Sequence, residues 1–229
     1  MQKNLEDIAG SDDRILITGS TGFIGAKVVE TLLEYGFSKL RCFVRPSSRL
    51  ERLENVLRRF DAGKNVELIS GDLVSREDCQ KAAKGVSIIY QLAAGIEKSF
   101  AGAFMNSALA TRNLIDAFLE LGQPRRFVNV SSFAVYSNLK LKHGALLDET
   151  CALEDAPQKR FDAYCFGKLK QEELVREYGD QHRVALRYHP TGSRVRAWQE
   201  GSEWPGMDQY LWVFHSSGWI QLPAADLRG

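Results

Sequence analysis

Long apolar runs and an excess of charge of either sign are both missing from this sequence. No apolar stretch approaches the ~18 residues of a membrane-spanning helix, and the segment from Met1 to Asp13 is polar and acidic, unlike a signal peptide. The 30 basic and 29 acidic side chains leave a formal net charge of +1, which provides no attraction to nucleic acid or to an anionic membrane. These absences predict a cytoplasmic protein with neither a nucleic-acid partner nor a membrane partner.

Patterns of metal ligands and of paired cysteines are missing as well. The four cysteines include no Cys-x-x-Cys pair, which argues against a zinc site or a disulfide framework and suits a reducing compartment. They are Cys42, Cys79, Cys151 and Cys165. The four histidines are dispersed without the spacing of metal ligands. We therefore expect no metal site.

The 229 residues, 44% of them hydrophobic, instead show short apolar runs that alternate with helical segments. The predicted strands are Arg14–Thr18, Lys39–Val44, Val66–Ser70, Val86–Leu92, Arg126–Ser131 and Arg183–Arg187. The predicted helices are Phe23–Tyr35, Ser75–Lys84, Ile96–Leu121 and Arg160–Tyr178, the last of which is expected to end at Gly179. This alternation predicts an α/β fold with a doubly wound parallel sheet that helices cover on both faces.

A glycine-rich loop follows the first predicted strand and opens the first predicted helix. Gly19 permits a tight turn, Gly22 lets phosphates approach the backbone, and Gly25 lets the helix pack close to the sheet. Glycines also occur in ordinary turns, but a strand, a loop and a helix in this order form a pyrophosphate site at a helix N-terminus. We therefore predict that this loop binds a dinucleotide through Gly19, Ser20, Thr21, Gly22, Phe23, Ile24 and Gly25.

The loop spacing Gly-x-x-Gly-x-x-Gly, preceded by Thr18, resembles the cofactor loop of the extended short-chain dehydrogenase/reductase family, of the NAD-dependent epimerase/dehydratase type. About 140 residues later, Tyr164-Cys165-Phe166-Gly167-Lys168 is similar to the Tyr-x-x-x-Lys motif of that family. The resemblance extends from Arg14 to about Arg187. It implies a Rossmann-type fold and an NAD(P)-dependent enzyme that transfers a hydride between its cofactor and a carbonyl or alcohol.

The resemblance also implies three catalytic residues. Tyr164 is the acid/base, and Lys168, four residues later on the same helical face, favours its phenolate and contacts the cofactor ribose. Ser132 follows the fifth strand and anchors the substrate, with Ser131 as the alternative because serines at strand ends also form turns. Asn106, in the long helix, matches a family position in the active-site hydrogen-bond network, or is an amide on the helix surface.

Two further segments are predicted to line the cofactor. Asp72 resembles the acid of the family that binds the adenine amino group, although an aspartate there also suits a loop or a cap. Small residues after the fourth strand let a cofactor lie against the carboxyl edge of the sheet. The predicted lining residues are Asp72, Leu73, Leu92, Ala93 and Ala94.

No carboxylate follows the second strand, where NAD-binding proteins of this fold place one to hold the ribose hydroxyls. Arg45 stands there instead, and its guanidinium fork suits a 2′-phosphate, with Ser47, Ser48 and Arg49 as further donors. A solvated surface arginine is the alternative interpretation. This pattern predicts NADP as the cofactor, with NAD also possible.

The most favoured activity is NADPH-linked reduction of a carbonyl substrate. The alternatives are a nucleotide-sugar epimerase or dehydratase, which would recycle its cofactor, and a catalytically silent dinucleotide-binding fragment. The partner is accordingly a small-molecule carbonyl, an alcohol or a nucleotide sugar. A homodimer through the long helix and the tyrosine helix is also compatible with the apolar residues Phe104, Leu114 and Phe118.

The character of the chain changes at Tyr188. All four tryptophans lie beyond it, and the residues from Tyr188 to Val195 do not follow the family pattern, whereas Ala185–Arg187 does. A shifted reading frame or a fused foreign end would produce such a break, and a divergent tail is the alternative. We predict a Rossmann domain over residues 1–188 and an atypical segment over 189–229, with an incomplete substrate-binding C-terminal part and impaired activity.

Overall fold

The computed structural model describes residues 9–10, 12–139, 147 and 150–182, and the backbone of three further strands at 185–189, 210–215 and 218–223. The chain divides into two compact units, residues 1–193 and 194–229. Most of the predicted atypical segment, including Trp198 and Trp204, lies outside the described residues. The predicted domain boundary after residue 188 stays a prediction.

Six parallel strands form the sheet of the first unit. They are β1 (Ile15–Thr18), β2 (Leu40–Val44), β3 (Glu67–Ser70), β4 (Ile88–Gln91), β5 (Arg126–Val130) and β6 (Ala185–His189). Their order is β3-β2-β1-β4-β5-β6, so the chain reverses its direction of winding between β1 and β4. In such sheets ligands bind at this switch point, beyond the carboxyl ends of the strands. The predicted α/β fold with a doubly wound parallel sheet is confirmed.

The strands are connected by helical segments. The helices are α1 (Phe23–Glu34), α2 (Glu51–Arg59), α3 (Arg76–Ala83), α4 (Phe100–Ala103), α5 (Ala110–Leu121) and α6 (Ala163–His182). A π-helical segment, Phe104–Leu109, joins α4 to α5. No bounds were predicted for α2, whose buried face is formed by Leu53, Val56 and Leu57.

Alternate residues of the strands face two separate layers of the core. Ile15 and Ile17 pack with apolar residues of α1 and α2, whereas Leu16 and Ile89 pack with residues of α3 and α5. Successive side chains of a strand point to opposite faces, and both faces are covered here. The central strands β1 and β4 are therefore apolar up to their polar last residues, Thr18 and Gln91, rather than alternating with polar residues.

The long helix and α6 differ from their predicted bounds. The long helix begins at Phe100 rather than Ile96. Ser99 caps this start, because its hydroxyl accepts a hydrogen bond from the Gly102 N–H at 3.1 Å. Helix α6 begins three residues later than predicted, because Phe161 adopts a left-handed conformation with φ of 54°.

Gly179 does not end α6, which continues to His182. A glycine inside a helix costs only about 1 kcal/mol relative to alanine. The preceding turn is held by Tyr178, whose hydroxyl donates a hydrogen bond to Asp116 of α5 at 2.6 Å. This contact between helices outweighs the local tendency of glycine to stop a helix.

Two of the three apolar residues proposed for a dimer interface lie in the core of the monomer. Leu114 and Phe118 are fully buried, so they cannot reach a partner, whereas Phe104 is 43% exposed. The sequence pattern could not separate these cases, because core and interface residues are equally apolar. A homodimer stays a prediction. Within the described part of the chain, no helix has the length and apolar character to cross a membrane.

The second unit contributes one described element, an antiparallel pair of strands. Strand β7 (Tyr210–His215) pairs with β8 (Gly218–Pro223), and Val213 lies opposite Ile220. Sequence analysis assigned no secondary structure to this part of the chain.

Candidate active site

The glycine loop lies between the carboxyl ends of β1 and β4. Gly19 has a φ of +66°, and a Cβ at this position would lie 2.9 Å from the backbone nitrogen of Ala93. A Cβ on Gly25 would lie 2.1 Å from the carbonyl oxygen of Gly19. Both positions therefore require glycine, the first for its backbone conformation and both for the close approach of backbone to backbone.

Helix α1 begins at this loop with an uncapped N-terminus. Gly22 occupies the N-cap position without a side-chain hydrogen bond, and the first turn contains no acidic residue. Its first N–H groups therefore lack the partners that a cap would provide and are suited to an anion. Ser20 is buried in the loop, whereas Phe23 and Ile24 are 74% and 51% exposed. This cradle of glycines and free N–H donors fits the pyrophosphate of a dinucleotide.

Thr18 connects the glycine loop to the segment that follows β4. Its hydroxyl accepts hydrogen bonds from the backbone N–H groups of Leu92 and Ala93, both at 3.1 Å. The same hydroxyl donates to the side-chain oxygen of Gln91 at 2.5 Å. The predicted cofactor-lining residues Leu92, Ala93 and Ala94 are thereby held next to the glycine loop, and Ala94 is exposed.

Arg45 lies exposed at the carboxyl end of β2. Its backbone N–H donates to the Ser48 hydroxyl at 3.2 Å, and its carbonyl accepts from the Ser48 N–H at 2.9 Å, so the two residues close a tight turn. The structure records no ion pair between the Arg45 guanidinium and another described residue. The guanidinium is therefore available to bind a ligand at the carboxyl edge of the sheet, where the chain leaves β2.

Asp72 and Leu73 follow β3 in different environments. Asp72 is exposed, and one of its carboxylate oxygens accepts a hydrogen bond from the Val74 N–H at 2.9 Å. This contact is the loop-forming role that sequence analysis kept as an alternative, and it leaves the second oxygen at the surface. The Leu73 side chain packs in the hydrophobic core. A ligand at this edge would therefore meet the backbone of Leu73 rather than its side chain.

The two serines after β5 have different partners. Ser131 donates a hydrogen bond from its hydroxyl to the buried carboxylate of Glu172. Ser132 instead accepts a hydrogen bond from the Ala134 N–H at 3.2 Å. Both serines are buried, at 2% and 5% exposure.

Helix α6 is anchored to the carboxyl end of β5 through Lys168. The Lys168 ammonium donates to the carbonyl oxygen of Val130 at 2.7 Å and to the side-chain oxygen of Gln171 at 2.9 Å. On the other side of the helix, a Cβ on Gly167 would lie 2.9 Å from the carbonyl oxygen of Ala103. The structure thus brings Lys168 to the strand end that precedes the two serines, and Tyr164 lies half-buried one turn before it.

Burial controls the ionisation of Lys168 and its neighbour Glu172. Desolvation lowers the pKa of Lys168 to about 8, and the Glu172 carboxylate partly opposes this effect. Desolvation raises the pKa of Glu172, against the opposing influence of the Ser131 hydrogen bond and of the Arg176 and Lys168 charges. The two groups share an almost dry environment, in which each interaction between charges is strong.

The lowered pKa predicts that stability increases with pH. The pKa of Lys168 is about 8 in the folded chain, whereas an ordinary lysine has a pKa of 10.5. Between these two pH values the unfolded chain therefore binds more protons than the folded chain. The free energy of unfolding should rise across this window by about 3 kcal/mol, at about 1.4 kcal/mol per pH unit. The measurement is the difference in urea-unfolding free energy between the parent chain and Lys168→Met at several pH values. A difference that is constant from pH 8 to 10.5 contradicts the lowered pKa.

Asn106 lies in the π-helical segment and faces the loop after β4. Its amide donates to the carboxylate of Glu97 at 2.8 Å, and a Cβ on Gly95 would lie 2.7 Å from the Asn106 Cβ. Single π-helical turns inside α-helices are frequent at functional sites. Glu97 was not identified from the sequence, because no motif marks this position.

Two buried glutamines at this site, Gln91 and Gln171, were not predicted from the sequence. Each had a weak signal. Gln91 is the polar end of the strand sequence Ile-Ile-Tyr-Gln, and Gln171 lies three residues after Lys168, on the same helical face. In the described ranges, the structure contains no group of three or more His, Cys, Asp or Glu side chains able to hold a metal ion.

The chain is similar to known proteins of one family. The family model described as the NAD dependent epimerase/dehydratase family matches residues 15–191. The 3-beta-hydroxysteroid dehydrogenase of Mycolicibacterium neoaurum is 29% identical over 190 residues, which cover 78% of this chain and 47% of that protein. Cinnamoyl-CoA reductase 1 of Petunia hybrida is 26% identical over 178 residues, which cover 75% and 51%.

Among solved structures, a double mutant of the dTDP-glucose 4,6-dehydratase of Streptomyces venezuelae with NAD bound superposes with a TM-score of 0.62 at 22% identity. The match covers 76% of this chain and 54% of that one, and it demonstrates a shared fold. The chain spans about half the length of the curated relatives it matches.

Proposed function

Because the chain belongs to the NAD-dependent epimerase/dehydratase family, we propose that it binds a nicotinamide dinucleotide and transfers a hydride to or from a carbonyl or alcohol carbon. The main support is the hydrogen bond from Lys168 to Val130, which holds the Tyr-x-x-x-Lys helix at the end of β5. The glycine loop lies at the same carboxyl edge of the sheet, two strands away. Ligands of open α/β sheets bind at this edge.

Tyr164 is the proposed acid/base. In the reducing direction its hydroxyl donates a proton to the carbonyl oxygen of the substrate, and in the oxidising direction its phenolate takes the proton back. The Lys168 ammonium has three N–H donors, and two of them are used by Val130 and Gln171. The third is available to stabilise the phenolate or to bind the ribose of the cofactor. A bound nicotinamide would supply or accept the hydride.

Ser132, rather than Ser131, is the proposed substrate anchor. The hydroxyl proton of Ser131 is engaged by the Glu172 carboxylate, so it is not free to donate to a substrate oxygen. Ser132 uses its hydroxyl oxygen as an acceptor for the Ala134 N–H, which leaves its proton for donation. A donor placed at the carbonyl oxygen stabilises the negative charge that develops there.

Reduction of a small carbonyl compound with NADPH is the favoured reaction. Its support is the absence of a carboxylate after β2, together with the exposed Arg45 at that position. The nucleotide-sugar epimerase or dehydratase is the second candidate, supported by the family to which the chain belongs. The two are separated by assaying NADPH oxidation against a panel of aldehydes and ketones, and product formation from nucleotide sugars without added cofactor.

A dinucleotide-binding module without turnover is a further candidate. It is supported by the end of the family match at residue 191, before the segment 194–229 that forms the second unit. Measuring dinucleotide affinity by titration calorimetry beside the activity assays distinguishes it. Binding without turnover on any substrate in the panel supports the module and contradicts the proposed enzyme.

Arg45→Ala should remove the preference for NADPH over NADH. A charge-assisted contact to the 2′-phosphate contributes about 1.5–3 kcal/mol, so the parent chain should bind NADPH about 10- to 150-fold more tightly. Dissociation constants for both dinucleotides, measured by calorimetry, test this. Arg58→Ala, which removes an exposed arginine from α2, is the control and should keep the preference. Equal affinities of the parent chain for the two dinucleotides would exclude the role of Arg45.

A further inference from the structure

We propose that Gln171 is a positioning residue that holds the Lys168 ammonium in place through a buried chain of amide and hydroxyl side chains beginning beside the glycine loop. The inference deepens the proposed function, because it concerns the lysine to which that function assigns a role. Gln171 has no place in the Tyr-x-x-x-Lys motif, and only its contacts identify it.

The buried chain crosses the core between β1 and α6. From the lysine outward, its links are Lys168 Nζ to Gln171 Oε1 at 2.9 Å, Gln171 Nε2 to Thr111 Oγ1 at 2.6 Å, Gln91 Nε2 to Thr111 Oγ1 at 3.2 Å, and Thr18 Oγ1 to Gln91 Oε1 at 2.5 Å. The four residues other than the lysine are fully buried, and Lys168 is 2% exposed. Water therefore has little access to these hydrogen bonds, and each partner that is lost leaves a costly unpaired group.

Thr111 contacts the amide groups of both glutamines. Its hydroxyl oxygen accepts a hydrogen bond from the NH₂ group of Gln91 and another from the NH₂ group of Gln171. In this arrangement each amide directs its carbonyl oxygen away from Thr111. The Gln91 oxygen meets the Thr18 hydroxyl, and the Gln171 oxygen meets the Lys168 ammonium.

A reversed Gln171 amide would be strongly unfavourable. It would direct an NH₂ group at the Lys168 ammonium, so that two donors face each other in a dry site. The amide thus presents a permanent acceptor to the ammonium. This acceptor favours the charged form of the lysine, in opposition to the desolvation that lowers its pKa.

The surroundings of Lys168 show which groups can stabilise its charged form. Glu172, on the same helix, is the charged group that acts on the lysine, and Tyr164 lies one turn before it. The elements packed against this part of α6 present the neutral Val130 carbonyl and Thr111 hydroxyl. Without Gln171, the Glu172 carboxylate would be the remaining side chain that stabilises the ammonium. Gln171 therefore keeps the lysine charged and in position without a full ion pair.

The test is the pKa of Lys168 in the full chain without cofactor or substrate. It is measured by NMR titration of the chain labelled with ¹³C-lysine, with the resonance assigned through its loss in Lys168→Met. Gln171→Leu should lower the Lys168 pKa by about one pH unit, because a hydrogen bond to a charged group is removed. Gln171→Glu should raise it, because a carboxylate both accepts and attracts. Gln181→Leu, on the exposed part of the same helix, should leave it unchanged.

Thr111→Val provides the second variant, since valine keeps the shape but loses the hydroxyl that contacts Gln171. It should lower the Lys168 pKa in the same direction as Gln171→Leu and by less, and it keeps the test available if Gln171→Leu fails to fold. A Lys168 pKa that stays within about 0.2 pH units of the parent value in every folded variant of Gln171 and Thr111 overturns the proposal, since 0.2 units corresponds to only about 0.3 kcal/mol.

The outcome separates this inference from the proposed function, because the titration requires no turnover. If the lysine responds as expected and no substrate is converted, the positioning role stands and the enzymatic role fails. If the chain turns over a substrate and the lysine does not respond, the enzymatic role stands and the positioning role fails.

Discussion

Tyr164→Phe is expected to lower kcat by about 10²- to 10⁴-fold, the usual contribution of a general acid/base, while dinucleotide affinity stays nearly unchanged. The substitution removes the hydroxyl that exchanges the proton with the substrate and keeps the ring. Tyr164 is half-buried on the face of α6 that also carries Lys168. Steady-state kinetics with the best substrate of the panel, and calorimetry with the dinucleotide, provide the two measurements.

Tyr178→Phe is the matched control for this experiment. It removes a tyrosine hydroxyl from the same helix, where that hydroxyl binds Asp116, so a loss of stability is expected without a loss of kcat in the folded protein. Lys168→Ala should weaken both turnover and dinucleotide binding, because the ammonium is proposed to contact the phenol and the ribose. Activity of Tyr164→Phe within about threefold of the parent chain would rule out the acid/base role, since such a group contributes at least about 10²-fold.

Gly25→Ala is expected to weaken dinucleotide binding by about 100-fold. The new Cβ would lie 2.1 Å from the Gly19 carbonyl oxygen, a backbone atom that no side-chain rotation can move away. The loop and the start of α1 would have to separate, which displaces the N–H groups proposed to bind the pyrophosphate. Loss of two such hydrogen bonds to a charged group corresponds to about 3 kcal/mol, hence to the expected 100-fold change in the dissociation constant.

Gly63→Ala serves as the control for Gly25→Ala, because a Cβ at Gly63 has no neighbour within 4 Å. It should leave both affinity and thermal stability unchanged. Circular dichroism must show that Gly25→Ala is folded. A lower affinity can then be assigned to the altered loop and not to loss of the whole sheet. An affinity of folded Gly25→Ala within about threefold of the parent value, less than about 0.7 kcal/mol, would exclude this loop as the phosphate site.

The six strands of the parallel sheet, the connecting helices other than α2, and the spacing of the two motifs followed from local patterns in the sequence. An apolar run of four or five residues, such as Ile15–Thr18, has few alternatives to a buried strand when turn residues follow it. The glycines of the loop were identifiable because Gly19 and Gly25 serve backbone requirements that no other residue meets. The spacing of Tyr164 and Lys168 placed them on one helical face for the same local reason.

Contacts between distant elements account for what the sequence patterns missed. Gln91, Thr111 and Gln171 come from β4, α5 and α6, and their arrangement as one hydrogen-bonded chain depends on the register in which those elements pack. The continuation of α6 past Gly179 likewise depends on a partner 62 residues away, where Tyr178 meets Asp116.

Local patterns were sufficient for the strands and helices of the α/β fold, the glycine loop and the Tyr-x-x-x-Lys spacing, because each depends on residues within one turn or one strand of each other. The doubly wound order of the strands joins segments as distant as β1 and β4, and it followed from the alternation of strands and helices together with the family resemblance. Packing was needed to show that Leu114 and Phe118 belong to the core, and that Lys168 lies between Val130 and Gln171. Apolar character is the same in a core and in an interface, and a buried amide resembles a surface amide in sequence. What distinguishes them is the neighbour supplied by another element, and that neighbour is defined only once the elements have packed.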